Sequence, residues 1–177
     1  MSALQTEGTS TDKTDKKRSD KLGDKNDLRI KAIENGTVID HITAGQALNV
    51  ISILGGGENF TNTVSIVMNA GSSRGDKDVV KIEGRELTEK EVNAISLISP
   101  KATVNIIRDF EVIEKRKIQT PDYVCGIVRC INPNCITNSE PIESKFAVAA
   151  DEKVKSLVLR CVFCESVMTE ELIQFIE

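Results

Sequence analysis

Four of the chain's five cysteines fall into two close pairs, and this spacing restricts the possible folds more than any other feature. Ile131-Asn132-Pro133-Asn134 separates Cys130 from Cys135, Val162-Phe163 separates Cys161 from Cys164, and 25 residues lie between the pairs. Two tight turns, each aiming two sulfurs at one point, are what a tetrahedral four-thiolate site needs. Cys125 and Cys130 are also four residues apart, but Gly126-Ile127-Val128-Arg129 is strand-like and would splay the sulfurs, whereas the Asn-Pro-Asn interval is turn-like. The ligand set is therefore Cys130, Cys135, Cys161 and Cys164, with Cys125 expected as a buried or half-buried strand thiol. Two disulfides would need an oxidising compartment and would leave an odd thiol exposed to exchange. Four thiolates close the coordination shell, so the ion is structural, one zinc per chain; iron in a rubredoxin-like site has the same ligand count.

The half of the chain that carries these cysteines, residues 121–177, is too small to be stable on apolar burial alone, and bound metal would supply folding energy directly. Lys145–Ala149 and Lys155–Arg160 read as a hairpin, and Glu170–Ile176 as a short strand or last helical turn. This half is expected to be a small all-β zinc-ribbon or rubredoxin-like domain.

Residues 28–120 contain no cysteine and show strong apolar patterning. Leu28, Ile30 and Ala32 alternate with neighbours up to the Asn35-Gly36 turn, which predicts a strand; Thr37–Ile42 reads as a further, weaker extended segment. Thr43 and Gln46 have capping-box spacing before Ala47, Leu48, Ile51 and Leu54, and Gly55-Gly56-Gly57 stops that helix. Phe60–Met68 and Asp78–Glu83 read as strands. Thr88 and Glu91 form a second capping box, Leu87 and Val92 a hydrophobic staple, and Pro100 ends the second helix. A long strand is expected from Ala102 to about Lys117. Leaving out Thr37–Ile42, the order is βαββαβ, an α+β ferredoxin-like antiparallel sheet with two helices on one face.

Residues 1–27 hold six acids and six bases but few apolar side chains, and read as a solvated, disordered tail. The net charge of −4 therefore belongs to the rest of the chain, and with a pI near 5.2 it disfavours a general nucleic-acid binder. A zinc-ribbon nucleic-acid module is the alternative reading. It requires a basic, aromatic-studded face, yet residues 121–177 place Tyr123, Phe146, Phe163 and Phe175 without a basic cluster. No apolar run is long enough to span a bilayer and no signal sequence opens the chain, so a cytoplasmic location is expected.

Gly36-Thr37-Val38-Ile39-Asp40-His41-Ile42, Lys77-Asp78-Val79-Val80-Lys81-Ile82-Glu83, Pro100-Lys101-Ala102-Thr103-Val104-Asn105 and the cysteine set ending in Cys161-Val162-Phe163-Cys164-Glu165 closely resemble the regulatory chain of aspartate carbamoyltransferase, in order and from about Leu28 to the C-terminus. The resemblance implies a non-catalytic allosteric subunit of pyrimidine biosynthesis that binds ATP or CTP. Carried over by position, Asp40 would bind ribose, Lys81 the base, and His41 with Lys115 the phosphates. Ala32, Ile33, Val38, Lys77, Asn105, Ile107, Phe110 and Val112 would line the pocket. Lys31 stands where the family commonly has an acid, and Phe110 where it has Tyr. The resemblance further implies docking on the catalytic chain through Asn132, Asn134 and Glu165, and regulatory dimers, three of which bridge two catalytic trimers.

Overall fold

The computed structural model describes residues 31–56, 60–73, 75–151 and 156–176. The tail expected at 1–27, Leu28 and Ile30 of the first expected strand, Gly57 and Lys155 lie outside them.

The first half is a five-stranded antiparallel sheet. It comprises β1 (Gly36–Thr43), β2 (Val64–Ala70), β3 (Lys77–Glu83), β4 (Thr103–Arg108) and β5 (Glu111–Lys117), in the order β2-β3-β1-β4-β5. Helix α1 (Ala47–Ile53) follows β1 and α2 (Glu89–Ile98) follows β3, which gives the βαββαβ order with one added edge strand.

Two strand expectations need correction. Residues 32–34 form no strand, and the discounted segment at Thr37 is instead the central β1. Gly36 starts it because a Cβ there would sit 2.1 Å from the Ile82 carbonyl oxygen. Within β1, Thr37 is fully buried but its hydroxyl donates to the Arg85 carbonyl at 2.7 Å, so a polar side chain is accommodated in the core. The strand expected from Ala102 to Lys117 is a hairpin. Asp109 and Phe110 take φ of +50° and +65°, a two-residue reversal of the kind whose twist suits antiparallel strands.

Both helices pack on the same face of the sheet. Ile39, Val80, Ile82 and Val104 meet Ala47, Val50, Val92 and Ile95 in one buried cluster. Each such aliphatic side chain stabilises the fold by about 1.5–3 kcal/mol. The α2 capping box forms as expected, with Thr88 Oγ1 accepting from the Glu91 N–H and Glu91 Oε2 from the Thr88 N–H. The box expected for α1 does not form; Gln46 is the N-cap and makes no side-chain cap bond. Its role falls to Asp78, buried on β3, whose Oδ2 accepts from the Ala47 N–H at 3.0 Å while Oδ1 accepts from Asn69 N–H at 2.8 Å.

The second half is a four-stranded antiparallel sheet in the order β6-β7-β8-β9, from β6 (Tyr123–Cys125), β7 (Lys145–Asp151), β8 (Ser156–Cys161) and β9 (Val167–Thr169). One helical turn, α3 (Ile136–Ser139), follows Cys135, and a 3-10 turn (Glu170–Leu172) follows β9. Phe146, Leu159, Met168 and Val124 build its core together with three of the cysteines. Ala94 and Leu97 of α2 belong to this second core, whereas Val92 and Ile95 belong to the first. One helix thus presents opposite faces to both halves.

Candidate functional site

The sulfurs of Cys130, Cys135, Cys161 and Cys164 all lie within 4.8 Å of one another, the first three residues buried and Cys164 half-buried. Cys130–Cys164 and Cys135–Cys161 are separated by 3.5 and 3.8 Å. A tetrahedron with ligand bonds of about 2.3 Å has edges of roughly 3.8 Å, so the cluster has the dimensions of a zinc thiolate site. A disulfide would need sulfurs about 2.05 Å apart; all five cysteines are free thiols.

Local chain chemistry makes each knuckle. In the first, Asn132 Oδ1 accepts from Asn134 N–H at 3.0 Å and the Asn132 carbonyl accepts from Cys135 N–H at 3.0 Å. Asn138 on α3 then clamps the loop, donating to the carbonyls of Cys130 and Asn132 at 2.9 and 2.8 Å. In the second, Cys161 N–H donates to the Ser166 carbonyl at 2.9 Å, and Glu165, at φ +60°, donates back to the Cys161 carbonyl at 3.0 Å. Burial pushes the Cys130 thiol up to about 12 and raises that of Cys161, while the Ser166 hydroxyl draws Cys164 down to about 6. Buried thiols of this kind must give up protons when they take a metal, so loading releases protons.

Cys125 ends β6 and lies outside the cluster, as expected of a strand thiol, but it is exposed rather than buried or half-buried. Its strand is too short, and too close to the sheet's edge, to cover it.

On the helix-free face of the first sheet, strand register sets Lys81, Val38, Asn105 and Lys115 in one row across β3, β1, β4 and β5. Asn105 is buried and donates to the Val38 carbonyl at 3.2 Å. One pleat along β1, Asp40 receives Lys77 Nζ at 2.7 and 3.0 Å and the His41 N–H at 2.7 Å. His41 sits at φ +59° where the β1–β3 register shifts, and its Nδ1 lies 3.0 Å from Asp40 without hydrogen-bond alignment. Burial pulls the Asp40 carboxyl up, but the Lys77 and His41 bonds and charges outweigh it and hold the group below the usual carboxylate range. Ile107 and Val112 face each other across the β4–β5 hairpin, with Phe110 exposed at its turn. Ala32 and Ile33 precede β1, the first exposed and the second buried. Asn134 and Glu165 are exposed at the knuckles, and Asn132 is half-buried in its turn.

Among the described residues, sequence reasoning missed Asn138, Asp78, the second face of α2, and the exposed apolar rim of Ile131, Ile136, Val162 and Phe163 around the thiols. Ile131, Val162 and Phe163 had a signal: side chains between two metal-directed cysteines must point away from the metal.

Models of two protein families match the two halves of the chain. Residues 28–119 match the aspartate carbamoyltransferase regulatory chain, allosteric domain, and residues 122–174 the metal binding domain of the same chain. The chain belongs to the aspartate carbamoyltransferase regulatory chain family. Relatives described as that regulatory chain include those of Methanosarcina acetivorans (61% identical) and Methanosarcina barkeri (60%), each aligned over 85% of this chain and 97% of its own length. That of Pyrococcus abyssi is 53% identical over 82% of this chain and 95% of its own. The protein is thus a non-catalytic regulatory subunit with an allosteric and a metal-binding domain, and its cofactor is a structural zinc. Among the described residues, no helix is long and apolar enough to cross a membrane.

Proposed function

We propose that the chain binds nucleoside triphosphates of the ATP/CTP class on the helix-free face of its allosteric domain (28–120) and passes the effect to catalytic chains of aspartate carbamoyltransferase docked on its zinc domain (121–177). The observation that carries this reading is the row Lys81, Val38, Asn105 and Lys115 beside Asp40. It sets two lysines on the helix-free face beside the Lys77-paired Asp40 carboxylate, with the buried Asn105 amide between them, a polar set suited to a phosphate-bearing, hydroxyl-rich ligand.

In this reading Asp40 accepts from ribose hydroxyls, Lys81 contacts the base, and His41 and Lys115 hold the phosphates. Ala32, Ile33, Val38, Lys77, Asn105, Ile107, Phe110 and Val112 complete the pocket. The four cysteines hold zinc and do no chemistry; the metal fixes both knuckles so that Asn132, Asn134 and Glu165 are presented to the catalytic chain at low entropic cost. The sheet lies between the nucleotide face and α2, and α2 packs on the zinc domain's core. A shift in the sheet would therefore reach the docking surface through packed side chains. Nucleotide must favour one arrangement of the assembly over another, with a coupling of about 1–3 kcal/mol. The assembly is cytoplasmic, with three regulatory dimers bridging two catalytic trimers, in pyrimidine biosynthesis.

Calorimetric titration of the zinc-loaded chain with CTP and ATP tests the site. Saturable binding that weakens in both Lys81→Gln and Lys115→Gln supports it; no binding, or equal binding to the variants, contradicts it.

A further inference from the structure

A groove runs between α2 and the zinc-bearing half and shares no lining residue with the row of Lys81, Val38, Asn105 and Lys115. Its larger part, about 720 Å³, is lined by Lys90, Arg129, Thr137, Asn138, Ile142 and Phe175, among others. A smaller part of about 210 Å³ continues from Lys90, Gly126, Phe175 and Ile176 toward Ala94 and Ile53. The larger volume is within the range of small-molecule sites.

The groove's charge distribution identifies the kind of ligand it suits. Lys90 and Arg129 carry its positive charge, and neither side chain has a hydrogen-bond or ion-pair partner among the described residues. Glu143 is the acid in the larger part; Glu91, in the smaller part, is already paired with Arg85. Among the described residues, two cations against one uncommitted carboxylate leave the lining net positive on a chain whose net charge is −4. Pro141, Ile142 and Phe175 supply an apolar wall beside these polar groups. The position matters as well. Asn138 holds the Cys130 and Asn132 carbonyls, and Thr137 Oγ1 lies 3.2 Å from Cys135 Sγ, so the groove's floor is also the support of the first zinc knuckle.

We propose that this groove is a second ligand site, separate from the nucleotide face, that takes a small organic oxyanion, a carboxylate or phosphate with a short apolar body. The oxyanion sits between Lys90 and Arg129, and the apolar part lies on Phe175 and Ile142. Because the occupant rests on the clamp of the first knuckle, it slows zinc release.

The test uses the full-length, zinc-loaded chain at constant ionic strength, so that screening stays fixed. Inorganic phosphate and, separately, succinate are titrated while the Asn138 side-chain amide and the Gly126 amide are followed by NMR. The expected result is saturable shifts at both probes, with affinity about fivefold weaker in Lys90→Gln and in Arg129→Gln and unaltered in Lys115→Gln. Zinc transfer to a chromophoric chelator should slow with the better of the two anions in the wild type and not in Arg129→Gln. Response to phosphate alone assigns the site to phosphates, and response to succinate alone to carboxylates. Absence of saturable shifts with both anions, or shifts equally strong in Lys90→Gln and Arg129→Gln, overturns the proposal. Loss of the shifts in Lys115→Gln would place the binding on the sheet face and overturn it too.

Discussion

The sulfurs of Cys130 and Cys164 lie 3.5 Å apart although 34 positions separate them in the chain. The β6–β7–β8 pairing and the Asn138-clamped loop bring them together, so metal binding is coupled to folding of the C-terminal half. Replacing Cys161 or Cys164 by Ser should abolish stoichiometric zinc, measured by elemental analysis. It should also remove the dispersion of the Phe146 and Leu159 NMR signals. Cys125→Ser, which alters an exposed thiol outside the cluster, should leave zinc content unaltered.

Leu97 is fully buried on the α2 face that meets the zinc-bearing half. Leu97→Ala should destabilise the protein by about 2–5 kcal/mol through lost transfer energy and a residual cavity. Chemical denaturation monitored separately at the two sheets should show the loss at both, because one helix serves both cores. Loss confined to one sheet would show that α2 does not couple them.

Asp78 is a buried carboxylate that receives two backbone N–H groups, from Ala47 and Asn69. Asp78→Ala would leave those donors unsatisfied at about 1–3 kcal/mol each. Asp78→Asn keeps one acceptor and should cost less. Thermal melts of the two variants give the comparison.

The Asp40 carboxyl is held below its ordinary value by Lys77 and His41 against the upward pull of burial. A depressed native value means that the unfolded chain binds more protons below the ordinary carboxylate range. This contribution to stability is therefore complete above about pH 4 and is lost as pH falls through the native value. In Lys77→Met the bond that lowers it is gone, so the Asp40 carboxyl should titrate at higher pH. Carbon-13 NMR of the Asp40 carboxyl reads this directly; an unmoved titration would show that Lys77 does not set it.

Phe110 occupies a left-handed backbone position, φ +65°, with its ring exposed. Phe110→Gly should raise stability by up to about 1 kcal/mol by relieving that conformation. If the ring lines the nucleotide pocket, the same variant should bind CTP more weakly, and calorimetry combined with thermal melts separates the two effects.

The parts legible in the sequence are those whose signals are local. The α2 capping box needs only Thr88 and Glu91, three residues apart, and the thiol set needed only spacing plus the turn chemistry of Asn132 and Pro133. What was not legible depended on partners far along the chain. Thr37–Ile42 looked weak because a buried threonine and the His41 shift break the alternation of β1, and both are accommodated by Arg85 and β3, more than 35 positions away. The β4–β5 reversal carries a phenylalanine where turn chemistry favours glycine or asparagine. Asp78 lies in a run that reads as a simple strand, and nothing near it reveals that it caps α1 from 31 positions away. Asn138 and the second face of α2 likewise acquire their roles only when the two halves are packed.

In the proposed function, ligand on one half of this chain alters what is docked on the other. The most direct measurement of this coupling is the aspartate saturation curve of the complex with its catalytic chain, recorded without nucleotide and with saturating CTP or ATP. The half-saturation point should move with at least one nucleotide, and that movement should vanish in Lys115→Gln while zinc content stays at one per regulatory chain. Curves that superimpose under all three conditions, in a complex shown to be intact and zinc-loaded, would contradict it.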